Sequence, residues 1–250
     1  MVMLLENKVA VIHGAGGPIG GAAARAFASE GARVFLAGRT SAKLDTVADD
    51  IRAHGGVANT AVVDALNEQA VDEYVDAIVE QAGYIDISFN VIGYGDVQKP
   101  LMEIAVDDFM QPISAAMRTQ FLTTRAAARH MIRCGSGVIL AFGGSGPQTL
   151  PGLGGFKIAL DAMEGLRRQW ACELGQHGIR VVTLKTGGVP ESIDDMTGME
   201  EIVAGLTQAT LLKRTATLAD VGDVAAFVAS DHARTITSTE VNISCGAIVD

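Results

Sequence analysis

Short β-branched runs alternate with long alanine-rich stretches from one end of the chain to the other. This regular change of period constrains the fold more than any other feature. Val9-Ala-Val-Ile-His13 has the composition of a buried strand, and Arg33–Ala37, Val57–Val63, Ile85–Asn90, Val138–Phe142 and Arg180–Leu184 repeat it. Glu240–Ser244 closes the series. Helical stretches fall between them at Ile19–Glu30, Ser41–Ala53, Asn67–Ala82, Val106–Cys134, Gly155–His177 and Leu218–Ser230. Alternating strands and helices imply parallel strands joined by crossovers that lay helices on both faces. No repeat, low-complexity tract or linker interrupts the pattern, so residues 1–250 are expected to form one α/β domain with a doubly wound parallel sheet in three α/β/α layers.

Composition narrows the function classes. Apolar residues make up 48 % of the chain, too many for a disordered segment. There are 19 basic residues against 29 acidic ones, a net charge of −10, so the chain lacks the basic footprint that binding to nucleic acid or an anionic membrane requires. No apolar run is long enough to span a bilayer. The segment Met1-Val-Met-Leu-Leu-Glu-Asn-Lys8 has neither the basic start nor the long apolar run of a leader. Cys134, Cys172 and Cys245 are odd in number and far apart, which suits neither a disulfide framework nor a zinc site. They are expected to be reduced, buried as small apolar groups, in a cytoplasmic protein. No cluster of His, Asp and Glu suggests a metal.

An open parallel sheet places its ligand at the carboxyl ends of its strands, beside the switch point in strand order. The first strand runs directly into His13-Gly14-Ala-Gly16-Gly17-Pro18-Ile19-Gly20-Gly21 and then a helix. Glycines let the backbone turn tightly and approach a pyrophosphate, and the helix N-terminus offers free N–H groups and the positive end of its dipole. The plainer alternative is a tight turn only. Pro18 lacks an N–H but suits the first helical turn, where that donor is unpaired in any case. The second strand ends Ala37-Gly38-Arg39-Thr40, with no acid for a ribose 2′-hydroxyl and an Arg placed for a 2′-phosphate. This favours NADP(H) over NAD(H) in a Rossmann-type site. The alternative is a solvated arginine at a strand end.

Taken in order, these fragments resemble the short-chain dehydrogenase/reductase family over essentially all 250 residues. The family's Thr-Gly-x-x-x-Gly-Ile-Gly is matched by His13 to Gly20, and its Asp at the adenine by Asp64-Ala65. Its Asn-Asn-Ala-Gly is matched by Asn90-Val-Ile-Gly93, and its late helix by Ala219 to Asp231, followed by Ile243-Ser-Cys-Gly246. The resemblance implies cofactor contacts at Gly14, Gly16, Gly17, Pro18, Ile19, Gly20, Arg39, Thr40, Asp64, Ala65, Asn90 and Gly93, and also at Gly187 and Val189 past the sixth strand, where Thr186-Gly187 replaces Pro-Gly. It also implies a homotetramer or homodimer built through the two long helices.

The family's proton-delivering residues are not matched. Aligning Gly165-Leu166 and Glu173-Leu174 with the family helix puts Phe156 at the Tyr position and Leu160 at the Lys position, and Ala116 falls at the Asn position. Ser145 stands one or two places from the Ser position. Two substitutes are Lys185, placed to stabilise an oxyanion or hold a carboxylate if it is not simply an exposed strand-end lysine, and Lys157, more readily read as a helix pair with Asp161. Arg118 is expected at the surface, and His13 is expected to bond the backbone. Gly187–Thr210 is the longest irregular stretch; by position it would cover a substrate, with Met196 and Met199 suited to an apolar ligand. The function expected is a short-chain oxidoreductase acting on a small or medium apolar substrate without the Tyr–Lys pair. Two alternatives stand beside it: a non-redox cyclisation or isomerisation in the same pocket, and a non-catalytic nucleotide-binding subunit.

Overall fold

The computed structural model describes residues 3–144, 146–147, 149–193 and 199–249. Seven strands form one parallel sheet in the order β3-β2-β1-β4-β5-β6-β7. They are β1 Val9–His13, β2 Arg33–Gly38, β3 Val57–Val62, β4 Ile87–Asn90, β5 Gly137–Phe142, β6 Ile179–Lys185 and β7 Thr239–Asn242. Helices α1 Pro18–Ser29, α2 Ser41–Ala53, α3 Glu68–Ala82, α4 Val106–Cys134, α5 Phe156–Leu174, α6 Met199–Ala209 and α7 Leu218–Ala229 connect them.

The central strands are apolar on both sides because both faces are covered. In β1, Ala10 and Ile12 enter a core packed by α1, α2 and α7, where Phe27 stacks on Phe89, while Val9 and Val11 face a second core under α3, α4 and α5. Local signals end the helices as expected. The Asn67 side chain accepts from the Ala70 amide at the start of α3, and Gly83 and Gly135 take left-handed conformations at the ends of α3 and α4. Thr217 and Asp220 close a reciprocal capping box on α7.

Three expectations need correction. The stretch 187–210 is not irregular throughout, since it contains α6, whose Leu206 packs against Gly188. Cys134 and Cys172 are exposed rather than buried, and Cys245 is intermediate. Strand β4 starts at Ile87 and β7 spans Thr239–Asn242, each two residues off or less at its start. Among the described residues no helix is long and apolar enough to cross a membrane, and no group of His, Cys, Asp and Glu is arranged to hold a metal ion.

Candidate functional site

The order reverses between β1 and β4, and the register there is flush: His13 pairs with Ala37 on one side and with Asn90 on the other. The loops after β1, β2, β3 and β4 therefore gather at one edge, as a switch point requires. They enclose a cleft of about 360 Å³, whose lining includes Gly14, Gly17, Arg39, Asp64, Ala65 and Gly93. A larger hollow of about 530 Å³ lies between α1, α2 and α7 and reaches none of the strand carboxyl ends, so it is not the site.

The first loop is pinned by backbone alone. The Gly14 and Ala15 amides both donate to the Ala37 carbonyl, at 2.8 and 3.1 Å. Gly14 has φ +89°, and a Cβ there would stand 2.7 Å from the Val91 carbonyl oxygen, so both conformation and contact demand glycine. Gly17 is the N-cap of α1 and Pro18 its first residue. The amides of Ile19 and Gly20 in this first turn have no partner among the described residues, which leaves donors at the positive end of the helix dipole.

Arg39 and Thr40 are exposed at the end of β2, and the Arg39 guanidinium has no hydrogen-bond or ion-pair partner among the described residues. Lys43 stands against the glycine turn, its Cβ 3.0 Å from a Cβ built on Gly16, and it too has no hydrogen-bond or ion-pair partner among the described residues. Lys43 did not emerge from the sequence, although a lysine in the first turn of α2 runs against the helix dipole, and that was the available signal. Across the cleft Asp64 Oδ1 accepts from the Leu66 amide at 3.0 Å, and the Leu66 carbonyl accepts from Arg118 at 2.7 Å, tying this wall to α4. Asn90 is buried; it donates to Thr123 Oγ1 and accepts from the Ile92 amide, each at 3.0 Å, and so shapes the turn to Gly93. A Cβ on Gly93 would meet nothing within 4 Å, leaving room at the mouth of this turn.

Other expected residues fall elsewhere. Gly187 packs against Ser244 and Ala247, and Val189 is buried in the core; neither lines the cleft. Ser145 and Met196 lie outside the described residues. Lys157 and Asp161 form the expected pair along α5, at 2.6 Å. Lys185 is not exposed: it is 2 % accessible, and its Nζ pairs with Glu240 Oε2 at 2.6 Å. Buried Glu164 and Arg167, paired with each other at 2.7 Å, lie alongside; burial first, and then the hydrogen bond to Glu240, raise the carboxyl pKa of Glu164.

His13 does not bond the backbone. Both ring nitrogens are buried without a hydrogen-bond partner among the described residues, the ring meets Tyr74 edge-on at 6.2 Å, and burial lowers its pKa to about 4. Ala116, Phe156 and Leu160 do come together, in one apolar cluster with Ala159, Met163 and a residue not foreseen, Tyr94.

A family described as Enoyl-(Acyl carrier protein) reductase matches residues 14–247. The chain is 31 % identical over 249 residues to Uncharacterized oxidoreductase YxbG of Bacillus subtilis (strain 168), covering 97 % of this chain and 91 % of that one. The chain belongs to the short-chain dehydrogenase/reductase family. Short-chain dehydrogenase reductase ATA1 of Arabidopsis thaliana is 30 % identical over 242 residues, 91 % of this chain and 87 % of that one. The solved short-chain dehydrogenase/reductase from Serratia marcescens BCRC 10948 superposes with a TM-score of 0.88 at 26 % identity, over 98 % of this chain and 100 % of that one. Short-chain dehydrogenases bind a nicotinamide cofactor. The left-handed Gly14, the unpaired amides of α1 and the open space at Gly93 fit such a dinucleotide.

Proposed function

We propose that this short-chain oxidoreductase uses NADP(H) and acts on a small or medium apolar substrate without a Tyr–Lys pair at the start of α5. The observation that carries the cofactor preference is Arg39, a guanidinium without a partner among the described residues, in a cleft whose β2 end offers no acid. A guanidinium matches phosphate geometry with two parallel N–H donors. Lys43, packed against Gly16 in the first turn of α2, adds a second positive charge near the glycine turn. The amides of Ile19 and Gly20 would face the pyrophosphate, and Asp64 with Ala65 the adenine.

The dinucleotide, when bound, supplies or accepts a hydride. The chain's own contribution at the reacting end is an apolar wall: Phe156 and Leu160 carry no titrating group, and Ala116 carries no amide. Such a wall excludes water and suits a substrate with an apolar body. The segment 187–210, with α6 inside it, would cover that substrate. Lys185, held by Glu240, serves as part of a buried charge cluster. The exposed face of α4 and α5, where Phe121 packs on Trp170 at 5.6 Å, would join copies into a homodimer or homotetramer, and the cytoplasm suits three unbridged thiols.

Fluorescence titration with NADPH and NADH tests the reading. Losing a charged contact to phosphate costs about 1.5–3 kcal/mol, so Arg39→Glu is expected to weaken NADPH binding by roughly 10–100-fold and leave NADH nearly unchanged. Tighter NADH than NADPH binding in the parent protein would overturn the NADP(H) assignment.

A further inference from the structure

Tyr94 enters the cleft from the loop after β4, sixty-nine residues away in sequence from the α5 methionine that it touches. Gln111 Nε2 donates to the Tyr94 carbonyl at 2.8 Å and so fixes this loop on α4. The Tyr94 side chain is packed among Ala116, Phe156, Leu160 and Met163 and is 8 % accessible, and the residue also lines the dinucleotide cleft. Its hydroxyl lies at the end of β5: a Cβ built on Gly143 would stand 3.9 Å from Tyr94 Oη and 3.0 Å from Leu160 Cδ2. Within this cluster of apolar side chains the phenol supplies a polar atom, with the buried Gln120 side chain as its polar neighbour.

The acceptors around that hydroxyl are poor, while the buried Gln120 side chain hydrogen-bonds its oxygen and works against the effect of burial on its pKa. The hydroxyl donates to the thioether sulfur of Met163, a weak acceptor, and sits 3.4 Å from the Phe142 carbonyl, a long contact for an O–H donor. A buried donor so served loses little by turning to a better acceptor. Burial also pushes the phenol up to about 12, so it keeps its proton at neutral pH.

We propose that the Tyr94 hydroxyl is the hydrogen-bond donor to the substrate oxygen, which makes the substrate a carbonyl compound, saturated or conjugated, with an apolar body. Charge that builds on that oxygen during reduction is stabilised by a neutral O–H fixed in an apolar site. An iminium substrate is excluded, because its nitrogen has no lone pair to accept the bond. The proposal rests on the nicotinamide reading of the cleft.

The test uses the full chain labelled with 3-fluorotyrosine. Its three tyrosines, Tyr74, Tyr84 and Tyr94, give three ¹⁹F resonances that single Tyr→Phe replacements assign. With NADP⁺ bound, acetophenone and cyclohex-2-enone are expected to shift the Tyr94 resonance, whereas an N-methyl-dihydroisoquinolinium cation leaves it in place. Tyr94→Phe is expected to weaken binding of the two carbonyl probes about 5–10-fold, the usual worth of one neutral hydrogen bond, with NADP⁺ affinity unchanged. A Tyr94 resonance indifferent to both carbonyls while NADP⁺ binds normally overturns the proposal, as does equal probe binding by Tyr94→Phe. Failure of NADP⁺ to bind at all overturns the nucleotide reading itself, and this proposal with it.

Discussion

Replacing His13 by valine is expected to remove a specific acid sensitivity from the fold. His13 is 1 % accessible, and neither ring nitrogen has a partner among the described residues to help it carry charge. Desolvation therefore holds its pKa at about 4, against about 6.5 for an unfolded histidine. Below neutral pH the unfolded chain binds the proton that the folded chain refuses, so stability falls as pH falls through 6.5 and levels off beneath the folded value. From that difference the loss is about 2 kcal/mol between pH 8 and pH 5, and about 3 kcal/mol once pH drops below 4. Against a total of roughly 5–15 kcal/mol this is a large share. Urea unfolding at both pH values, for parent and variant, isolates the effect, since the other four histidines are common to both proteins. The midpoint of the parent should fall by roughly 0.7–1 M urea more than that of His13→Val. Equal falls in the two proteins would refute the argument and mean that the imidazole finds water or a partner when protonated.

Two further outcomes follow from packing. A methyl at Gly20 would run into the Gly14 carbonyl oxygen and stand 2.8 Å from Ala15 Cα, so Gly20→Ala is expected to cost about 3 kcal/mol and to weaken NADPH binding with it; unchanged unfolding and titration curves would contradict that. Lys185→Met leaves Glu240 beside Glu164 without its cation and is expected to cost about 3 kcal/mol in urea unfolding, much of it recovered in Lys185→Met with Glu240→Leu. Intact stability with lost turnover would instead place Lys185 at the substrate.

Much of the frame was legible because it is local. A change of period from 2 to 3.6 at each boundary shows in any short window, and every strand end lies within one residue of where that change places it, except the start of β4 and the end of β7, which are two residues off. The glycine turn and Arg39 were legible for the same reason: backbone geometry and strand position are set within a few residues. Helix α6 escaped because Gly205 sits in its middle and its apolar positions Ile202, Val203 and Leu206 make only a short stripe.

Partnership is a different matter, because it depends on what the sheet order brings together. Tyr94 reads in sequence as one more loop residue, and only the packing of the β4 loop on α4 and α5 seats it among Ala116, Phe156 and Leu160. Lys185 reads as a strand-end lysine until β7 lies beside β6 and presents Glu240. His13 reads as a backbone-bonded polar group until α3 covers it and offers only the edge of Tyr74. The chain by itself therefore determined the order of elements, the parallel sheet and the mouth of the dinucleotide cleft, all consequences of short-range patterning. The tertiary structure alone decided which polar groups are satisfied, because a hydrogen bond or ion pair joins residues that only a folded sheet makes neighbours.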